Sequence, residues 1–174
     1  DFDIYDADKG VNRSERDVRK KVMTHLVVSG ETNLASGLGL VSVVIDIERI
    51  GDYTKNIYDL AVHHPLRLEG GPVEEKLQNV EALVTSDFKS MIEVFKDRDE
   101  DKARLIMNNY KEGLSDACEE ISNSILSGAV TGLNSSDATA VSLYARFLKR
   151  IASHSRNIVT SVVNPFHRIG YREK

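Results

Sequence analysis

The stretch Asp46-Ile47-Glu48-Arg49-Ile50-Gly51-Asp52-Tyr53-Thr54-Lys55-Asn56-Ile57 lies inside a longer helical pattern that runs from about Thr32 to His64. Glu48, Asp52 and Asn56 recur at i, i+4 and i+8, so a helix sets all three on one face, about a turn apart. Val43, Ile47, Ile50, Thr54, Ile57 and Ala61 form the opposite stripe, the one expected to meet a core. The reading is a helix with a carboxylate ladder on one side and an apolar seam on the other.

The pattern returns in altered form. Arg49-Ile50-Gly51-Asp52-Tyr53-Thr54-Lys55-Asn56-Ile57 aligns with Arg150-Ile151-Ala152-Ser153-His154-Ser155-Arg156-Asn157-Ile158, an offset of 101 residues from Arg49 to Arg150. Leu40 falls on Val141, Val43 on Tyr144, Ile47 on Leu148 and Ala61 on Val162, so the seam is kept. The acidic pair is lost: Glu48 falls on Lys149 and Asp52 on Ser153. Self-similarity at a fixed offset marks a chain built from repeated helical units.

Glu48-Arg49-Ile50-Gly51-Asp52 followed by Asn56-Ile57, on the last long helix of a helical repeat, resembles the PhoU family. The resemblance is specific between Glu48 and Ile57 and extends over roughly Val11 to Ile169. It implies two tandem three-helix repeats, each with an acidic E/D-x-x-x-D motif. It implies a regulator of phosphate uptake that restrains a phosphate transporter and its linked sensor kinase by protein contact, without turnover. Some members are cytoplasmic tails of sodium/phosphate symporters. It further implies Glu48 and Asp52 as ligands of a surface-bound divalent or iron-type metal cluster, with Asn56 and Asp59 on the same face as weaker candidates.

Size and composition agree with a helical domain. A chain of 174 residues is long enough for one domain with a sizeable core. With no Trp, three prolines and 6% aromatics, that core rests on Leu, Ile, Val and Ala. A net charge of −4 gives little support to nucleic-acid binding. The basic run from Arg13 to Lys21 is interrupted by Glu15 and Asp17 and reads as a solvated helix face. Cys118 is the single cysteine, expected as a buried small hydrophobe in a reducing compartment. No apolar run is long enough to cross a membrane. The expected location is cytoplasmic, peripheral to the membrane at most. The first residue is Asp1 rather than Met, as expected for a fragment, a processed form or the ordered part of a longer protein.

Along the chain, residues 1 to 10 read as a loop or the tail of an outside helix, with Asn12 or Ser14 capping the first helix. That helix runs to about Val28 with Val18, Val22, Met23, Leu26 and Val27 inward, and Ser29-Gly30 ends it. The motif helix stops before Pro65, and its first half, Leu34 to Ile47, is apolar nearly all round and expected to be the most buried segment. Gly70-Gly71-Pro72 marks the turn into the second repeat. One helix follows from about Pro72, with an acidic hinge at Asp97 to Asp101. A further helix spans Lys102 to Ser127, and a last one, capped by Ser135 or Ser136, runs to about His167.

The expected fold is therefore an all-α antiparallel bundle of two tandem repeats, residues 1–65 and 66–174, together one domain. The first repeat shows two helices and the second three, so the first lacks its leading helix. That predicts an uncovered apolar face and self-association, unless a missing segment covers it.

The chemistry of the motif has two readings. Carboxylates at i and i+4 can hold a cation when a second helix adds ligands. The same spacing also makes a solvated acidic face paired with Arg49 and Lys55, and the chain is then a metal-free helical adaptor. Asp59 and His63 extend the ladder, with surface polarity the simpler account, and the remaining histidines are scattered. A di-iron bundle needs Glu-x-x-His pairs, and no glutamate here has a histidine three residues later. No phosphate loop, nucleophile elbow or zinc-type histidine pair occurs, which leaves a hydrolase without a constellation.

Overall fold

A computed structural model describes residues 2–64 and 66–173, the side chains of residues 30, 31, 111 and 112 apart. The acidic start of the chain is helix rather than loop. The Asp3 carboxylate accepts the backbone N–H groups of Tyr5 (2.8 Å) and Asp6 (3.3 Å), donors that a first turn leaves without helical partners. Helix α1 thus spans Ile4–Ser29, and Asn12 and Ser14 lie inside it. A 3-10 turn, Gly30–Asn33, leads into α2, Leu34–His63. Pro65, expected to stop that helix, lies outside the described residues.

Pro72 sits in a short 3-10 turn, Gly71–Val73, that opens α3, Glu74–Asp97. The acidic hinge works through two residues. Arg98 adopts a left-handed conformation (φ 56°), and Asp99 caps α4, Glu100–Asn109, by accepting the N–H of Lys102 at 3.0 Å. The single helix expected from Lys102 to Ser127 is divided. A π-helical turn, Tyr110–Leu114, holds Gly113 at φ 148°, a conformation that side chains disfavour, and α5 resumes at Ser115–Leu126. Helix α6 spans Ser135–Val163 and is capped by Asn134, not by Ser135 or Ser136, through a 2.9 Å bond from Asp137 N–H. It ends four residues before His167, and the Asn164 amide donates to the carbonyls of Arg168 and Tyr171, folding the terminal segment back.

Six α-helices, joined by short 3-10 and π turns, and no strand occur among the described residues. Helix α6 is the axis of the core, packed against α2, α3, α4 and α5. Val141, Ala145, Ile158 and Val159 on α6 meet Val80, Val94, Ala103 and Ile121, all fully or nearly fully buried. Cys118 is buried as expected, and burial pushes its thiol up to about 11. Among the described residues helix α1 packs mainly on α2, where Gly37 admits Val22 and Leu26; a Cβ there would stand 3.1 Å from both.

The first half of α2 is not the most buried segment. Val43 and Val44 are buried, whereas Leu34, Leu40, Ile45 and Ile47 are exposed. Met23 and Val27 of α1, expected inward, are exposed as well. The physical reason is the helix count. No helix of the described residues covers the outer side of the α1–α2 pair, and α3 covers that side only in the second repeat.

Candidate functional site

The motif stands at the crossing of α1 and α2, near Gly51, where an added Cβ would stand 3.6 Å from Val11 of α1. Glu48 and Asp52 point along this seam, and their side chains are 15% and 29% exposed. Arg49 lies between them, 3.5 Å from Glu48 and 3.2 Å from Asp52. Lys55 reaches back to Asp8 of α1 at 3.0 Å and to Asp52 at 3.7 Å. Burial raises the carboxyl of Glu48, Asp52 adds to the rise and Arg49 opposes it, with smaller contributions from Glu15 and Asp8. The seam is thus a band of carboxylates from two helices, threaded by Arg49 and Lys55.

The two weaker candidates do not converge on that pair. Asp59 accepts the phenolic hydroxyl of Tyr5, an α1 contact a full turn and more away. Asn56 is half-buried one turn beyond Asp52. His63 is exposed and bonds the backbone of Asp59. Among the described residues no three His, Cys, Asp or Glu side chains gather closely enough to hold a metal ion. Glu48, Asp52 and the α1 carboxylates Asp8 and Glu15 form a band rather than a cluster, threaded by Arg49 and Lys55, and do not converge into the six or more oxygens of a hard-cation site or the four ligands of a borderline one. The residues present do not fit a metal centre built by this chain alone. At the second motif, Lys149 pairs with Glu119 of α5.

A polar contact that the spacing argument missed ties the repeats together. Asp46 of α2 accepts from His154 Nδ1 at 2.7 Å and from the Asn157 amide at 3.2 Å, both on α6. Tyr53 stacks on His154, ring centroids 5.8 Å apart, and leans on Phe147. The repeat offset contains the signal. Tyr53 and His154 occupy the same position in the two units, as do Asp46 and Phe147. Tyr53 and His154, equivalent in the two units, touch each other, so a repeat alignment also locates the interface. His64 makes a second tie, with Nδ1 2.7 Å from the Leu66 carbonyl and Nε2 2.9 Å from Asp137 at the start of α6. A ring with both nitrogens facing acceptors favours the charged imidazolium form, and the group is raised accordingly.

The same offset exposes the difference between the units. Val141, Leu148 and Val159 on α6 are 0%, 4% and 0% exposed beneath their neighbours, whereas Leu40, Ile47 and Tyr58, their counterparts on α2, are 43%, 42% and 47% exposed. Helix α2 therefore carries an apolar strip that α6 buries and α2 does not.

A family model described as PhoU domain matches residues 2–61 and 77–162. The matched segments take in α1 and nearly all of α2, then α3 through almost the whole of α6. No curated protein sequence matches the chain.

Proposed function

This chain belongs to the PhoU family, and on that premise we propose that it regulates phosphate uptake by protein contact, docking the open face of α2 on a component of a phosphate transporter or its sensor kinase. The observation that carries the reading is the strip of Leu40, Ile47 and Tyr58, partly exposed where the matching positions of α6 are buried. Tyr5 of α1 meets Tyr58 edge-on, ring centroids 5.9 Å apart, and Leu40 borders the segment after α6, so the strip is covered only in part and offers the apolar face against which an amphipathic partner helix lays its own. The family is regulatory, and the action is binding rather than turnover. No helix among the described residues is long and apolar enough to cross a membrane, so contact with a transporter would be made from outside the bilayer.

The acidic motif serves this reading as a clasp. Glu48, Asp52 and Asp8, bridged by Arg49 and Lys55, fix α1 against α2 and so hold the strip in shape. The ion-paired state of the carboxylates favours an adaptor that works without metal.

The test is phosphate uptake in the host cell with the chromosomal copy deleted. Reintroducing the wild-type chain is expected to restrain uptake when phosphate is plentiful. Leu40→Lys with Ile47→Lys is expected to leave uptake unrestrained while circular dichroism stays unchanged, because both side chains are already exposed. Full restraint by the double variant would overturn the docking face.

A further inference from the structure

The terminal segment beyond α6 folds against the break between α4 and α5 and closes a cavity of about 500 Å³. Three arginines from three different elements line it: Arg104 of α4, Arg156 of α6 and Arg172 of the terminal segment. Asn108 and Ser115 add neutral polar groups, and Asp116 and Glu173 are the acidic ones.

The arginines are not alike. Arg104 already holds a carboxylate: its Nε and Nη2 donate to the two oxygens of Glu173, each at 2.8 Å, in the two-pronged geometry that guanidinium favours. Glu100 and Asp101 of its own helix add contacts at 2.9 and 3.2 Å. Arg156 is held without a carboxylate. Its guanidinium lies over the Tyr110 ring, 5.4 Å from the centroid, and its Nη1 donates to the Gly170 carbonyl at 3.2 Å. Tyr110 opens the π turn, an irregularity of the kind that recurs at functional sites. Among the described residues, no carboxylate stands within ion-pair reach of Arg156 or Arg172, and both line the cavity.

We propose that this cavity binds a dianionic phosphoryl group, as free phosphate or a phosphate monoester, and that Glu173 is a tethered competitor occupying Arg104 in its absence. A carboxylate gripped by both prongs of Arg104 is an anion already in an anion's place. Its tether gives it an effective concentration of order 1 mM, so a singly charged rival gains little by displacing it. A phosphoryl group carries roughly −1.5 to −2 at neutral pH and offers three acceptor oxygens, enough to meet Arg104 and also Arg156 and Arg172. Asp116 opposes this, and Glu100 and Asp101 flank Arg104 on its own helix; yet once Glu173 leaves, the lining among the described residues is three arginines against Asp116 alone. The site is distant in sequence from the α2 motif, and its test does not depend on the docking reading.

Isothermal titration calorimetry at constant ionic strength decides it, with inorganic phosphate and glucose 6-phosphate as separate probes and chloride as the control. At least one phosphoryl probe is expected to bind, and whether free phosphate, the ester or both do so identifies the source. Glu173→Gln is expected to tighten binding about tenfold, and Arg172→Gln to weaken it about tenfold, the scale of one charge-assisted bond. Arg156→Gln should weaken it similarly; Arg172 is exposed, so its variant decides the matter if the Arg156 variant does not fold. Failure of both probes to bind Glu173→Gln at about 10 mM, tenfold above the tether's effective concentration, would overturn the site. Binding unchanged in Arg172→Gln, or matched by chloride, would do the same, and no tightening in Glu173→Gln would overturn the competitor.

Discussion

Truncating repeat-related residues, Ile47→Ala on α2 and Leu148→Ala on α6, measures how far the two units differ. Leu148 is 4% exposed, so its loss removes a packed side chain and leaves a cavity, at a cost of about 2–5 kcal/mol. Ile47 is 42% exposed. A full side-chain burial is worth about 1.5–3 kcal/mol, so a little over half of that is at stake, and solvent fills the space, giving about 1–1.5 kcal/mol. Ile50→Ala and Ile151→Ala form the control, since those residues are 7% and 8% exposed and should cost nearly the same. Urea denaturation followed by circular dichroism gives each cost as a midpoint shift at constant slope. The expected pattern is a twofold or larger gap for the first pair and none for the second. Equal losses at Ile47 and Leu148, in dilute protein, would mean that the α2 strip is covered in solution, by a second copy or otherwise. The reasoning from exposure would then fail.

Three further outcomes follow from the same contacts. Glu48→Ala with Asp52→Ala should keep full helicity and cost about 1 kcal/mol or less, because the pair is partly exposed and burial already disfavours the Glu48 charge; unfolding on this change would show that the clasp is essential. The Leu66 carbonyl, followed by the Asp137 carboxylate, raises His64, so the tie between α2 and α6 is fully present below the ordinary histidine range and is lost as pH rises through the raised value; His64→Gln should flatten the stability–pH curve there, and an unchanged curve would refute the imidazolium. The Cys118 thiol, buried and pushed up to about 11, should resist Ellman's reagent at pH 8 until urea unfolds the chain; rapid labelling of the native protein would contradict its place in the core.

What was legible in the sequence is what periodicity and repetition encode. The offset joining Arg49 to Arg150 foretold two long helices in equivalent roles, and α2 and α6 are those helices. The count of two helices followed by three also matches the fold, once α4 and α5 are read as one helix broken at Gly113. Burial was misjudged at Leu40 and Ile47 because composition tells which faces are able to be buried, not whether a neighbour is present to bury them. The early start of α1 was misread because four aspartates resemble a loop, although Asp3 carries a cap signal in plain view. The π turn left no periodic trace: one extra residue shifts the phase only locally. For the motif, spacing grouped Glu48, Asp52 and Asn56 correctly along one helix, but only the crossing with α1 shows Lys55 tied to Asp8. The Asp46–His154 contact needed the repeat alignment read as geometry rather than as kinship.

The central claim, that the open strip of α2 is where this PhoU-family chain meets its partner, is tested most directly by site-specific photo-crosslinking in the host cell. A photoreactive residue placed at Ile47, on the strip, is compared with one at the exposed Glu93 on α3. The account predicts an adduct from position 47 with a component of the phosphate transporter or its sensor kinase, identified by mass spectrometry, and none of comparable yield from position 93. No such adduct from position 47, or an equal one from position 93, would contradict it.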